Sequence, residues 1–291
     1  MIKIVKKSIR LIKRYGFARA IVRIVAKILN VDLEFQEAKN KAWDILCEKY
    51  NYEVAYGPFK GMKLNKDIWW SKNDRITQTL GTYEEHILES LIDFRNKGAT
   101  RLIDIGAADG YFAVGMAYAK IYKNVYAFEI EQQGRYRIAE NAYANGCKDS
   151  LIIQGEATHS SLAEILDGEK KSTILIDIEG DVYNFLDEKM LRLLRGNYII
   201  CELHAFLVKR ENFVPNGLEL FDDFYDEIKG IELENNLISR ASEFFDVSIV
   251  KRESYDPNRF EELDKLYDEE RLVAIGESRH SNMKWMILTP K

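Results

Sequence analysis

Several features that mark other protein classes are missing from this 291-residue chain. It contains no uninterrupted apolar run of roughly 18 residues, so we expect no helix that spans a bilayer. No internal repeat and no low-complexity segment is visible. The three cysteines, Cys47, Cys147 and Cys201, are scattered and odd in number, without the paired spacing of a metal site. This usage is typical of a reducing compartment, and we expect a cytoplasmic protein.

Acidic residues are also missing before Asp32, where nine lysines and arginines stand. Of the 42 basic residues, the other 33 share the rest of the chain with all 47 acidic ones. Apolar residues such as Ile9 and Ile12 recur at helical spacing between these cations, which predicts a basic amphipathic helix over residues 1–30, broken near Gly16. Such a helix either contacts an anionic inner membrane surface or packs on its own domain or on a second subunit of a homo-oligomer.

The charge pattern disfavours two further classes. Cations interrupt the apolar stretch of the N-terminal segment and no small-residue cleavage site follows, which argues against a secretory signal. Nucleic-acid binding is not favoured, because the rest of the chain is acidic overall. A length of 291 residues with 46% apolar content suits one large α/β domain with an additional element.

A glycine-bearing turn follows the clearest buried strand, whose apolar run ends at Ile105. Gly106 and Gly110 remove side chains where the backbone must turn tightly and approach a ligand, and a helix from about Tyr111 to Ala119 presents free N–H groups to a carboxylate. Asp104, at the strand end, could accept a bond from the ammonium of an amino acid moiety. The G-x-x-x-G spacing has no glycine at position 108, so it favours a nucleotide ligand without a pyrophosphate.

The next two strands add candidate ligands. The run Asn124–Phe128 leads to Glu129, about twenty positions beyond the glycine turn, where a ribose-binding carboxylate stands in nucleotide-binding α/β units. The alternative for Glu129 is an exposed acid at a helix N-terminus. The third strand, Leu151–Gln154, precedes Glu156, which we expect beside an adenine.

Acidic residues also end strands four and five, Thr173–Asp177 and Tyr198–Glu202. Because open α/β sheets bind ligands outside the carboxyl ends of their strands, we expect Asp177, Glu202 and His204 at one rim, with Glu179 facing the substrate. His204 is the first choice of general base, followed by Asp177 and Glu202, since an unperturbed imidazole has a suitable pKa. The same three side chains could instead hold a divalent ion, which we do not favour from the sequence.

Together these motifs resemble class I methyltransferases of the FkbM type, over about residues 81–205. The resemblance rests on the run Asp104–Gly110, on Glu129, and on the segments Ile176–Gly180 and Cys201–His204. It implies S-adenosylmethionine as cofactor and a hydroxyl of a sugar or natural product as acceptor. The implied cofactor-binding residues are Asp104, Gly106, Ala107, Gly110, Tyr111, Phe112, Glu129 and Glu156, with Tyr83 and Glu84 from the pair that precedes a helix in the family. Ala107, Ala108 and Asp109 depart from the usual Ala-Asn-x sequence of these proteins.

Other segments give weaker signals. Thr82 and Glu85 form a capping-box pattern before an apolar helix, and residues 54–64 read as a short strand or hairpin. A charged helix is expected near residues 260–268, and residues 206–217 are expected to form a loop over the active site. Three further residues are candidates for acceptor binding: Trp70 by stacking, and Arg271 and Arg279 by pairing with an anionic group.

The sequence thus predicts an α/β protein with a Rossmann-like sheet of seven strands, in which strand seven is antiparallel and lies between strands five and six, as the resemblance implies. We expect a helical extension over residues 1–55, a hairpin or connector over 56–80 and a class I methyltransferase domain over 81–291. The predicted activity is O-methylation of a saccharide or lipid-linked glycan in polysaccharide or natural-product biosynthesis. The alternatives are a nucleotide-dependent oxidoreductase and a non-catalytic scaffold of the same fold.

Overall fold

The computed structural model describes residues 33–69, 71–166, 168, 171–209, 225–252, 255–279 and 283–291. The predicted basic helix over residues 1–30, the side chain of Trp70 and residues 210–217 of the predicted active-site loop lie outside these ranges. Among the described residues, no helix is both long and apolar enough to cross a membrane.

The centre of the protein is a seven-stranded sheet with the strand order β3-β2-β1-β4-β5-β7-β6. Its strands are β1 Arg101–Ile105, β2 Asn124–Phe128, β3 Leu151–Gln154, β4 Ser172–Ile176, β5 Tyr198–Leu203, β6 Phe245–Lys251 and β7 Lys284–Pro290. Strands β1 to β5 are parallel, whereas β7 runs antiparallel to both of its neighbours. The predicted topology, including the placement of the last strand, is therefore confirmed.

The central strands are buried along their whole length, as expected for parallel strands covered by helices on both faces. Alternate residues of β1 enter different cores, because successive side chains of a strand point to opposite faces. Leu102 packs on one face with Leu175 and Ile200, and Ile103 packs on the other face with Ile174. The two layers together hold the carboxyl ends of β1, β4 and β5 at one edge.

Helices cover both faces of the sheet and build a third apolar cluster. They are α1 Leu33–Trp43, α2 Lys72–Leu80, α3 Glu85–Asn96, α4 Tyr111–Tyr118, α5 Gln132–Ala144, α6 His159–Ile165, α7 Val182–Phe185, α8 Glu188–Leu194, α9 Glu227–Ala241 and α10 Asp268–Ile275. A π-helical turn over Asp44–Glu48 continues α1. Leu46 from this turn, Ile76 and Leu80 from α2, and Ala274 and Ile275 from α10 share the third cluster. The described part of the predicted N-terminal extension thus packs on both α2 and α10.

Local structure differs from the sequence predictions at three places. Thr82 does not cap α3: the residue before the helix is Glu84, in a left-handed conformation with φ 44° and without a side-chain cap. Residues 54–64 form no regular strand, and one isolated bridge joins Glu53 to Lys63. The charged segment near residues 260–268, predicted as a helix, instead forms a 3-10 turn over Glu261–Lys265. Helix α10 begins only after Tyr267, whose backbone N–H donates to Glu270 Oε2 at 2.9 Å.

Candidate active site

The glycine turn after β1 is fixed by two neighbouring strands. The backbone N–H groups of Gly106 and Ala107 donate to the carbonyl oxygen of Phe128, at the end of β2, at 2.9 and 3.0 Å. Gly106 has a φ of +87°, and a Cβ atom at this position would lie 1.8 Å from the carbonyl oxygen of Asp177, at the end of β4. Only glycine fits between these strands in this conformation.

Helix α4 begins directly after this turn. Its N-cap residue, Gly110, has a φ of +87° and offers no side chain to the N–H groups of the first turn, among which that of Ala113 donates to Asp104. A Cβ atom at Gly110 would lie 3.1 Å from side-chain atoms of Ile138 and Val114, so the helix start is closely packed against α5. Tyr111 and Phe112 belong to a buried aromatic cluster, with the Tyr111 ring 5.2 Å from Tyr83. The helix terminus is therefore rigid and favours an anion through its N–H groups and dipole.

Asp104 lies in β1, two residues before the turn, and it is 3% exposed. Burial raises its pKa to about 8, assisted by the nearby acids Asp177 and Glu129, although the backbone N–H of Ala113 donates to it and acts in the opposite direction. A buried carboxyl with a raised pKa ionises readily only when a cation approaches. Asp104 is thus suited to receive a ligand ammonium.

Glu129 lies at the end of β2 and is tied to the glycine turn. Its carboxylate accepts hydrogen bonds from the backbone N–H groups of Ala108 at 2.9 Å and Glu131 at 2.8 Å. Ala108 adopts a left-handed φ of 51°, and Gly134 leaves room for the side chain, since a Cβ atom there would lie 2.6 Å from Glu129 Cγ. Glu129 therefore lies just before the N-terminus of α5, as in the alternative interpretation. Its side chain is buried, however, and not exposed, and the glycine turn orients it.

The rim formed by β4 and β5 brings the predicted catalytic residues together. One ligand atom from each of Asp177, Glu202 and His204 lies within 4.8 Å of the others. His204 Nε2 lies 3.4 Å from Glu179 Oε2 and 3.6 Å from Glu202 Oε2. Glu202 and His204 are almost fully buried, at 1% and 3% exposure, whereas half of the Glu179 side chain is exposed.

Burial sets the protonation states at this rim. It raises the pKa of Glu202 well above the usual range, and the neighbouring Asp177 raises it further. It lowers the pKa of His204, an effect that the negative charge of Asp177 opposes. The pKa of Glu179 rises to about 7, first through desolvation and then through Asp177. A neutral His204 ring beside these carboxyl groups can accept a proton near neutral pH.

Tyr83, Glu84 and Arg279 lie in an adjacent buried ionic cluster. Arg279 Nη2 donates to the Tyr83 hydroxyl at 2.6 Å and to Glu84 Oε1 at 3.2 Å. Glu277 accepts the backbone N–H of Glu84 at 3.1 Å and pairs with Arg252 Nε at 3.2 Å. The guanidinium of Arg279, predicted to bind the acceptor, thus has internal partners.

Sequence reasoning missed several members of this region. Asp74 lies 3.7 Å from Arg279, and Arg75 forms a buried ion pair with Asp109 of the glycine turn at 2.8 Å. The polar segment Asn73–Arg75 is buried, although its sequence reads like a surface segment. The only sequence signals for a buried ionic cluster were the adjacent acid and arginine, Asp74 and Arg75, and the acid Glu277.

Two predicted residues lie apart from the rim. Arg271 is in α10, where it donates to Asn258 and lies 3.9 Å from Asp264. Glu156, predicted to lie beside an adenine, follows β3 and is exposed. Trp69, the neighbour of the candidate Trp70, stacks with Arg137, whose guanidinium carbon is 5.4 Å from the ring centre.

No family model matches the chain, and no curated protein matches it. Solved structures do resemble it. The O-methyltransferase TomG from Streptomyces achromogenes, solved with SAM, is 14% identical and has a TM-score of 0.45, with 88% of this chain and 90% of that one covered. An rRNA methylase from Streptococcus thermophilus is 13% identical, with a TM-score of 0.42 and coverage of 70% and 96%. TYW2 from M. jannaschii, solved with AdoMet, is 16% identical, with a TM-score of 0.37 and coverage of 78% of both chains.

Proposed function

We propose that this protein is a methyltransferase that uses S-adenosylmethionine. The observation that carries the proposal is the joint placement of Asp104 and Glu129 around a rigid glycine turn. Glu129 is held by the backbone of that turn, and Asp104 is buried at its base. One carboxylate suits a ribose diol and the other suits an ammonium, and this cofactor carries both groups.

The residues present fit the cofactor at each of its polar groups. Glu129 would bind the ribose hydroxyls, Asp104 the ammonium, and the first-turn N–H groups of α4 the carboxylate. Glu156, exposed at the end of β3, would lie beside the adenine. The turn has alanine at position 108, and this residue donates to Glu129 instead of opening the turn to a pyrophosphate. This arrangement disfavours the alternative of a dinucleotide-dependent oxidoreductase.

The acceptor is proposed to be a hydroxyl group. When bound, the cofactor supplies an electrophilic methyl group, and its departure leaves neutral S-adenosylhomocysteine. The imidazole of His204, whose pKa is lowered by burial, would take the proton of the acceptor hydroxyl. Asp177 and Glu202 would orient the acceptor, because both lie at the same rim.

We further propose a saccharide or lipid-linked glycan as the acceptor. Support comes from the resemblance of the motifs at positions 104–110, 176–180 and 201–204 to the FkbM type. A lipid-linked acceptor also agrees with the basic amphipathic pattern of residues 1–30, which suits an anionic membrane surface. Removal of residues 1–30 is expected to abolish sedimentation of the protein with anionic vesicles without changing its affinity for S-adenosylhomocysteine.

Calorimetric titration with S-adenosylhomocysteine and, separately, with NAD tests the cofactor proposal. We expect micromolar binding of S-adenosylhomocysteine alone, and a loss of roughly tenfold or more in Glu129→Gln, as for a hydrogen bond to a charged group. Glu188→Gln, which removes an exposed carboxylate on α8, is the matched control. Binding of NAD alone, or of neither ligand, would overturn the proposal.

A further inference from the structure

The charges around the β4–β5 rim are unbalanced. The acids Asp177 and Glu84 both act on Glu202, and the guanidinium of Arg279, which opposes them, has its own contacts with Tyr83 and Glu84. Asp177 and Glu202 each place a carboxylate oxygen within 4.8 Å of the other, so two acidic side chains share one small space. Burying several carboxyl groups in this way is costly unless a positive charge joins them.

Unpartnered atoms point to where that charge would lie. Both carboxylate oxygens of Glu202, which is 1% exposed, lack a hydrogen-bond partner among the described residues. His204 Nδ1 lacks one as well, and His204 is 3% exposed. The carboxylate of Asp177 offers a third possible ligand atom. One such atom from each of the three residues lies within 4.8 Å of the others. Buried polar atoms without partners in a native protein require an explanation.

We propose that Asp177, Glu202 and His204 bind one divalent cation at this rim. Two carboxylates and one imidazole are the donors that Mn²⁺ and Mg²⁺ accept together with water or substrate oxygens. The three residues come from two adjacent strand ends, so the sheet positions them before any ligand arrives. The half-exposed Glu179 side chain, 3.4 Å from His204, marks the side open to solvent.

The site lies where the proposed acceptor would bind, and this part of the inference rests on the proposed function. A ring nitrogen that holds a cation takes no proton, so the cation replaces His204 as the group that activates the acceptor. It would do so by coordinating the hydroxyl and lowering its pKa, and the hydroxyl proton would leave to the half-exposed Glu179 carboxylate or to solvent. Binding of the cation itself does not depend on the methyltransferase proposal.

Mn²⁺ is a direct probe, because the electron paramagnetic resonance signal of the free ion is lost on binding. The full-length protein, cleared of metal with a chelator, is titrated with Mn²⁺ without any cofactor. We expect one saturable site per chain, from which Mg²⁺ displaces Mn²⁺. Glu202→Gln and His204→Gln should each weaken binding by tenfold or more. His159→Gln, at the start of α6, is the histidine control and should leave it unchanged.

Thermal melting of each variant separates a lost site from a lost fold. Absence of saturable Mn²⁺ binding in the wild-type protein overturns the inference, as does binding that survives both substitutions in folded protein. S-adenosylhomocysteine titrated in the presence of EDTA tests the proposed function separately. Cofactor binding without Mn²⁺ binding would retain the methyltransferase and reject the cation, whereas Mn²⁺ binding alone would retain the cation site and reject the methyltransferase.

Discussion

The carbonyl oxygen of Asp177 occupies the space that a Cβ atom on Gly106 would need, only 1.8 Å away. The contact is reinforced by the backbone N–H of Asp177, which donates to the carbonyl oxygen of Ile105 at 2.9 Å. The turn proposed to hold the cofactor and the strand end that carries the catalytic rim are therefore joined through their backbones. A substitution of Gly106 should therefore disturb both the turn and the strand end.

Gly106→Ala is expected to lower both stability and affinity for S-adenosylhomocysteine. The left-handed backbone alone costs an alanine roughly 1–2 kcal/mol, and the collision with Asp177 adds to it. Gly98→Ala is the matched control, because Gly98 has a φ of +100° but nothing within 4 Å of the added atom. Urea unfolding and calorimetry should show a small loss of stability and unchanged affinity for Gly98→Ala. Equal effects of the two substitutions would contradict the role given to the Asp177 contact.

Asp104→Asn should change how stability depends on pH. Burial raises the pKa of Asp104 to about 8 in the folded protein from an ordinary value of 3.8. The stability that its protonated form contributes is therefore complete below about pH 4 and is lost as the pH rises toward 8. At about 1.4 kcal/mol per pKa unit, the variant should gain up to roughly 6 kcal/mol over the wild-type protein between these limits.

Urea unfolding between pH 4 and pH 8 measures this difference. Asp149→Asn, which alters an exposed acid before β3, corrects for the general loss of a negative charge. The Asp104 variant should also lose affinity for S-adenosylhomocysteine, since an amide cannot pair with the ammonium. A free energy of unfolding that keeps the wild-type pH profile would show that Asp104 is already ionised in the folded protein.

The sequence could predict those parts of the structure that depend on residues close together in the chain. The fully buried strand β1 produces an unbroken apolar run, and its glycine turn follows within a few residues, so both were predictable. The acids at the ends of β4 and β5 meet because parallel strands end at one edge, and the fold implied this. Local pattern was sufficient in these cases.

The buried ionic cluster depends on contacts between residues that are far apart in the sequence. Glu84 and Arg279 are partners although 195 residues separate them, so no local spacing reveals the pair. Helix α2 reads as a polar surface segment, yet Asn73, Asp74 and Arg75 are all buried. Distant residues pair with the two charges, and distant backbone carbonyls accept from the Asn73 amide. The capping pattern at Thr82 failed for the same reason: the N–H of Glu84 is bound by Glu277, which fixes the chain before α3.

Arg279→Ala is expected to destabilise the protein strongly, because it leaves the buried Glu84 and Glu277 without their shared cation. Removing one partner of a buried ion pair costs on the order of 3–5 kcal/mol. The loss should shrink at low pH: burial already raises the pKa of Glu84, and protonation relieves the uncompensated charge. Arg192→Ala is the matched control, since its pair with Glu188 is exposed on α8 and should contribute at most about 0.5 kcal/mol.

A second substitution tells whether Arg279 acts through this cluster or on a substrate. Glu84→Gln combined with Arg279→Met removes both charges, and it should restore part of the stability that Arg279→Ala loses in urea unfolding at pH 8. An Arg279 variant that keeps wild-type stability but binds an anionic acceptor weakly would instead support the acceptor role predicted from the sequence. The contacts of the guanidinium with Tyr83 and Glu84 favour the first result, because Glu84 is buried and the Arg279 side chain is only 22% exposed.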